Sequence, residues 1–176
     1  MVESIKEIFL SATYVDQIDC IEEVKSKLAE LGVKPYHFKE GQFYNGQMDK
    51  HSHDRCIELV EKINNYLLIV NYKAGNSYEG TQDEYRGLTI THAEFRAAIK
   101  DKERKKVFAF VRRKVWDFYK QWKTPIKEGR KPNSWEIDEK LVPLLEDLEN
   151  NMPWTDTFDT SLDLKQLISA KRDYFI

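Results

Sequence analysis

Cysteine is scarce: Cys20 and Cys56 are the only two among 176 residues. Both fall inside helical patterns with no paired spacing, which speaks against a disulfide framework or a zinc site and makes a reduced cytoplasm the expected compartment. Long apolar runs are missing as well. None approaches the roughly 20 residues that cross a bilayer, and Met1-Val2-Glu3-Ser4 lacks the basic and apolar regions of a secretory leader. Neither sign of charge dominates. With 28 Lys and Arg against 30 Asp and Glu the net charge is −2, so overall charge does not mark a nucleic-acid binder. Glycine numbers seven, and neither GxGxxG nor GxxxxGK(S/T) occurs. A P-loop NTPase and a dinucleotide oxidoreductase are therefore not expected.

What is present is a globular composition, 41% hydrophobic and 33% charged, on a length that fits one domain over residues 1–176. Ile5 to Leu10 is β-branched and aromatic and stops at Ser11-Ala12-Thr13, the pattern of a buried strand. Asp16 is placed as an N-cap for a helix carried by Ile18, Ile21, Val24, Leu28 and Leu31, at spacings of three and four, with Gly32 just past its end. Val33 to Phe38 forms a second strand, and Pro35 assigns it to an edge. Ile57, Val60 and Ile63 mark the next helix. Tyr66 to Val70 is nearly all apolar, as a central parallel strand covered on both faces should be.

Residues 73–90 form a long loop, and loops of that length are usually functional or mobile. A helix from about Thr91 packs through Phe95, Ala98 and Ile99, and Val107 to Val111 makes a fourth strand. The charge run from Lys100 to Lys106 reads as a solvated helix end. Beyond it, Val115 to Trp122 is aromatic-rich, and Lys123 to Pro132 reads as an exposed insertion. Leu141, Leu144, Leu145 and Leu148 give a helix with Pro143 in its first turn. Trp154 to Phe158 adds an edge strand, and Thr160 or Ser161 caps a closing helix. Strands alternating with helices imply right-handed crossovers and an α/β doubly wound, mainly parallel sheet of four to five strands.

Ligands of such sheets bind outside the carboxyl ends of the strands, where helix N-termini favour anionic groups. That edge gathers Ser11, Thr13 and Tyr14 after the first strand and Glu40 after the second. Asn71 and Tyr72 follow the third, and Thr91 and Glu94 open the next helix. Hydroxyls, an amide, aromatic rings and carboxylates suit a nucleotide.

These residues also resemble a family. Ile8-Phe9-Leu10-Ser11-Ala12-Thr13-Tyr14-Val15-Asp16 resembles the opening of prokaryotic TIR-like domains. Cys56 to Val70 is similar to their second helix and third strand. Leu88 to Ala98, with Thr89-Ile90-Thr91-His92-Ala93-Glu94-Phe95, resembles their S/T-I-T-x-x-E-aromatic-x-x-A segment. The resemblance covers residues 5–111 well, with 112–176 as an aromatic-rich extension that completes the fold. It implies a flavodoxin-like three-layer fold that cleaves the nicotinamide–ribose bond of NAD. NAD is then the substrate, and no separate cofactor or metal is implied. Glu94 takes the place of the catalytic glutamate, with Ser11, Thr13, Tyr14, Glu40, Asn71, Tyr72 and Thr91 around the substrate. The setting implied is antiphage defence in a bacterial cytoplasm, by NAD depletion or an ADP-ribose-derived signal. Self-association and an effector protein responding to the product are the implied partners, with neither nucleic acid nor membrane. Ile90 departs from the tryptophan many TIR domains carry four residues before the glutamate, and 70–75 departs from their glycine–aromatic pattern.

Plainer readings stand beside these. Thr91-His92-Ala93-Glu94 is also a capping box. Asp49, His51, His53 and Asp54 lack the spacing of a zinc site, and His92 reads as a solvent-facing first-turn residue. Two other functions compete: a non-enzymatic self-assembling module, and a nucleoside N-glycosidase or deoxyribosyltransferase.

Overall fold

The structure, a computed structural model, describes residues 6–13, 18–37, 52–101, 103–152 and 155–175. The strands are β1 (Lys6–Ala12), β2 (Val33–His37), β3 (Asn65–Val70), β4 (Lys106–Arg112) and β5 (Asp156–Phe158). The helices are α1 (Ile18–Glu30), α2 (Ser52–Lys62), α3 (Ile90–Ile99), α4 (Arg113–Lys127), α5 (Leu141–Asn151), α6 (Ser161–Ala170) and the short α7 (Arg172–Phe175). The strands form one sheet in the order β2-β1-β3-β4-β5, and every neighbouring pair is parallel. This is the flavodoxin-like order, whose switch point lies between β1 and β3. Pro35 sits on the edge strand β2, as its missing N–H requires.

Strand periodicity divides the core between the two faces. On β3, Tyr66, Leu68 and Val70 join one cluster with α2, α3, α4 and α5, while Leu67 and Ile69 join the other with α1 and α6. On β1, Phe9 faces the first cluster, and Ile8 and Leu10 the second. Ser11 is two residues beyond Phe9, so strand alternation turns its side chain toward α2 and α3. Among the described residues no helix is long and apolar enough to cross a membrane.

Several local expectations are corrected. β1 does not stop before Ser11 but runs through Ala12, because Ser11 and Ala12 pair with Leu68 and Ile69. Residues 123–127 are no insertion. They continue α4, which follows β4 without a loop and carries Pro125 inside it. Pro125 lacks the N–H that would bond the Gln121 carbonyl, so it costs the helix one hydrogen bond near its end, and Gly129, at φ +79, closes it. Lys105 is not solvated. It is 4% exposed, and its ammonium donates to the carbonyls of Val60 and Ile63 at the C-terminus of α2. The expected caps at Thr160 and at Pro143's first turn hold, with a reciprocal Thr160–Asp163 capping box on α6. Asp16 and Trp154 lie outside the described residues.

Candidate active site

The carboxyl ends of β1 and β3 meet the start of α3 at the switch point. Thr89, not Thr91, is the N-cap: its Oγ1 accepts from the His92 N–H at 3.3 Å. An antiparallel bridge between Ser77 and Thr89 holds Thr89 extended, so the helix begins at Ile90. Glu94 therefore falls in the second turn and takes no part in a capping box. Thr91, Glu94, Ala97 and Ala98 share the buried side of α3, three and four residues apart. The two alanines let the helix lie close to the sheet.

Glu94 is 5% exposed. Ser11 Oγ donates to its Oε2 at 2.5 Å, joining two elements 83 residues apart in sequence. The Cys56 thiol of α2 and the Tyr66 phenol of β3 lie close enough to the same carboxyl to interact with it. Burial pushes the Glu94 pKa up to about 7, against the opposing pull of the Ser11 and Cys56 hydrogen bonds. Burial and the nearby Glu94 charge push the Cys56 thiol and the Tyr66 phenol up as well. The fully buried Tyr66 hydroxyl is close enough to feel Ser11 and Glu94 but reaches neither with good hydrogen-bond geometry. The result is one carboxyl enclosed with the Ser11, Cys56 and Tyr66 side chains, its pKa brought up to about 7 by burial.

Thr13 and Thr91 converge on the same edge. Thr13 Oγ1 donates to the Lys73 carbonyl at 3.2 Å. Gly75 holds φ +78, and a Cβ there would stand 2.9 Å from Thr13 Cγ2 and 3.8 Å from Thr91 Oγ1. Asn71 is buried and accepts from Arg112 Nε. The same guanidinium stands 5.5 Å from the centre of the Tyr72 ring. Asp138 ties this turn down, its N–H donating to the Tyr72 carbonyl at 2.9 Å and its Oδ2 accepting from the Ala74 N–H at 3.2 Å. Ser11 and Glu94 thus touch directly, with Thr13 and Thr91 grouped beside Gly75. Asn71 and Tyr72 are joined through Arg112. Tyr14 and Glu40 lie outside the described residues.

Three contributors went unread in the sequence. Cys56 was available from periodicity, since it stands four and seven residues before Val60 and Ile63. Arg112 carried a weaker signal, a basic residue ending a central strand. It also donates to the Asp159 carbonyl at 2.6 Å, which binds the β4 end to the turn before α6. Tyr66 looked like plain core.

The 73–90 loop is anchored to α2. Asp54 accepts from the Tyr78 hydroxyl, from the Thr81 N–H at 3.0 Å and from Thr81 Oγ1 at 2.9 Å. His53 Nδ1 accepts from the Glu79 N–H at 2.9 Å. Gly80 is required there, because a Cβ would stand 2.1 Å from Asp54 Oδ1. His53 and Asp54 therefore hold a loop. Asp49 and His51 lie outside the described residues, and among those described no three His, Cys, Asp or Glu side chains converge as metal ligands. His92 is not solvent-facing but 2% exposed, bonded through Nε2 to Asp147 of α5 at 2.6 Å, where Arg96 Nε also donates at 2.6 Å. Burial lowers its pKa.

An all-parallel 2-1-3-4-5 sheet with a carboxyl buried at the switch point defines a flavodoxin-like α/β domain of TIR-like fold. The chain belongs to the family described as a domain of unknown function, DUF4062, which matches residues 7–172. It is similar in structure to the TIR domains of the activated Roq1 resistosome that directly recognises the pathogen effector XopQ. That likeness has a TM-score of 0.57 at 11% identity, over 94% of this chain and 98% of the other, and is one of fold. A diflavin flavoprotein A3 from Nostoc sp. aligns at 12% identity over 96% of this chain and 95% of the other, with a TM-score of 0.42. No curated protein matches the sequence.

Proposed function

We propose that this chain cleaves the nicotinamide–ribose bond of NAD, with Glu94 as the catalytic carboxylate. The observation that carries the reading is a carboxyl buried at the sheet's switch point and held by Ser11. The chemistry needs little more. Nicotinamide leaves with the electron pair of the C1′–N bond and becomes neutral, so no strong acid is required. The ribose gains oxocarbenium character, and a carboxylate shielded from water stabilises that charge. Water attack then gives ADP-ribose and a proton, whereas an adenine nitrogen would give a cyclic product. Ser11 holds the carboxylate, and Tyr72 and Asn71 line the approach. Antiphage defence, through NAD loss or a product-sensing effector protein, is the setting in which such an activity serves.

Purified protein incubated with NAD and with deoxynucleosides, followed by chromatography, tests the reading. Nicotinamide release is expected. It should fall in Ser11→Ala and Tyr72→Ala, and remain unchanged in Glu103→Ala, an exposed position at the opposite edge. Cleavage of deoxynucleosides without NAD cleavage would indicate a nucleoside N-glycosidase instead.

The near-complete burial of Glu94 favours one competing reading, a non-enzymatic self-assembling module in which the carboxyl is structural. In the enzymatic reading the same burial means that turnover requires an opening of the site. Contacts with a second copy of the chain would offset the cost of that rearrangement. Specific activity should then rise with protein concentration. A constant value across a hundredfold range, in the monomer regime, rules self-association out as the trigger.

A further inference from the structure

At the opposite edge of the sheet, the amino ends of β1, β3 and β4 frame a cavity of about 420 Å³. The six residues of β3 set it roughly 20 Å from the Glu94 edge. Lys6, Lys62, Arg104 and Lys106 line it against a single acidic group, Glu7. A chain of net charge −2 thus concentrates cations at one small opening. Ile63 and Phe175 add apolar lining, and Asn64 and Asn65 complete it.

Helix-end electrostatics do not account for this charge. The C-terminal carbonyls of α2 are already served by the buried Lys105 ammonium. Arg104 adds a longer bond to the Glu61 carbonyl at 3.2 Å and pairs with Asp101 at 2.8 Å. Lys106 donates to the Tyr174 carbonyl at 2.9 Å, a neutral partner that leaves its charge uncompensated. Glu7 accepts from the Tyr36 hydroxyl at 2.7 Å. Lys6 and Lys62 make no ion pair among the described residues.

We infer that this cavity is a binding site for a small ligand carrying two or three linked phosphates. Its volume lies in the range of small-molecule sites and is too small for a folded partner. Several ammonium and guanidinium groups around one opening suit a multiply charged chain of phosphates better than a single carboxylate. The site is separate from the proposed NAD-cleaving centre and does not depend on it.

The test is calorimetric titration of the full chain with tripolyphosphate and with ATP, at low salt and at 150 mM. Saturable one-to-one binding of both is expected, weaker at the higher salt because the cations are exposed. Lys6→Glu with Lys62→Glu should weaken binding at least tenfold, whereas Glu94→Gln should leave it intact. Both lysines are exposed, and the gentler Lys62→Gln should lower affinity several-fold in a protein with unchanged melting temperature. ATP binding without tripolyphosphate binding would show that the base is recognised and would overturn the inference. So would the absence of saturable binding, or equal binding by the double variant.

Discussion

Glu94→Gln should reduce nicotinamide release from NAD by roughly 10²–10³-fold or more, the scale on which loss of one transition-state electrostatic partner is felt. The helix has little to lose, because α3 is capped by Thr89 and Glu94 has no part in the cap. Glutamine keeps the length of the side chain, and its amide oxygen can still accept from Ser11 Oγ. What disappears is the negative charge, and its value is greatest when ribose becomes cationic in the transition state. NAD affinity should change far less than turnover. The pH profile gives an independent signature. With the Glu94 pKa raised to about 7, kcat/KM of the native protein should climb with pH through that value as the carboxylate forms. Nicotinamide release, NAD binding and thermal melting on one preparation separate the possibilities. Full activity in the variant would remove Glu94 as the catalytic carboxylate and turn attention to Glu40.

The sheet was largely legible in the sequence, and the site only in outline. Buried strands such as Tyr66 to Val70 announce themselves because both faces must be apolar, and the edge position of β2 followed from one proline. Glu94 could be placed at the carboxyl edge of the sheet from its order along the chain. Its environment could not be read, because Ser11, Cys56 and Tyr66 come from β1, α2 and β3 and meet only after packing. The cap shows the same limit. Thr89 and Thr91 are equally good N-caps as residue types, and the long-range bridge from Ser77 decides between them. His92 and Lys105 failed for one reason. Polar type suggested solvent, but each is buried because its partners, Asp147 and the open end of α2, wait in distant segments. Pro125 misled because near the end of α4 it costs only one hydrogen bond, which the rest of the helix outweighs.

The melting temperature of Glu94→Gln should exceed that of the native protein at pH 8 and fall slightly below it near pH 4.5, where the native carboxyl is protonated. A carboxyl whose pKa is raised by folding binds its proton more tightly in the native than in the unfolded chain. Its contribution is therefore fully present below the unfolded value of 4.5 and is lost as pH rises through about 7. A rise of that size corresponds to about 3 kcal/mol at high pH. Glutamine avoids that loss, less about 1 kcal/mol for a poorer hydrogen bond. For a chain of this length the surplus corresponds to roughly 4–8 °C. His92 complicates either profile alone. Burial lowers its pKa, so its stabilisation is present above the ordinary histidine value and is lost as pH falls through the lowered one. Because both proteins carry His92, the difference between their melting temperatures cancels it and isolates Glu94. A difference that stays constant from pH 5 to pH 8 would mean that Glu94 does not titrate as a buried group. A difference that grows across that range, together with lost turnover, would place the chemistry in the less stable, ionised form, the compromise expected where activity requires a charge that folding disfavours.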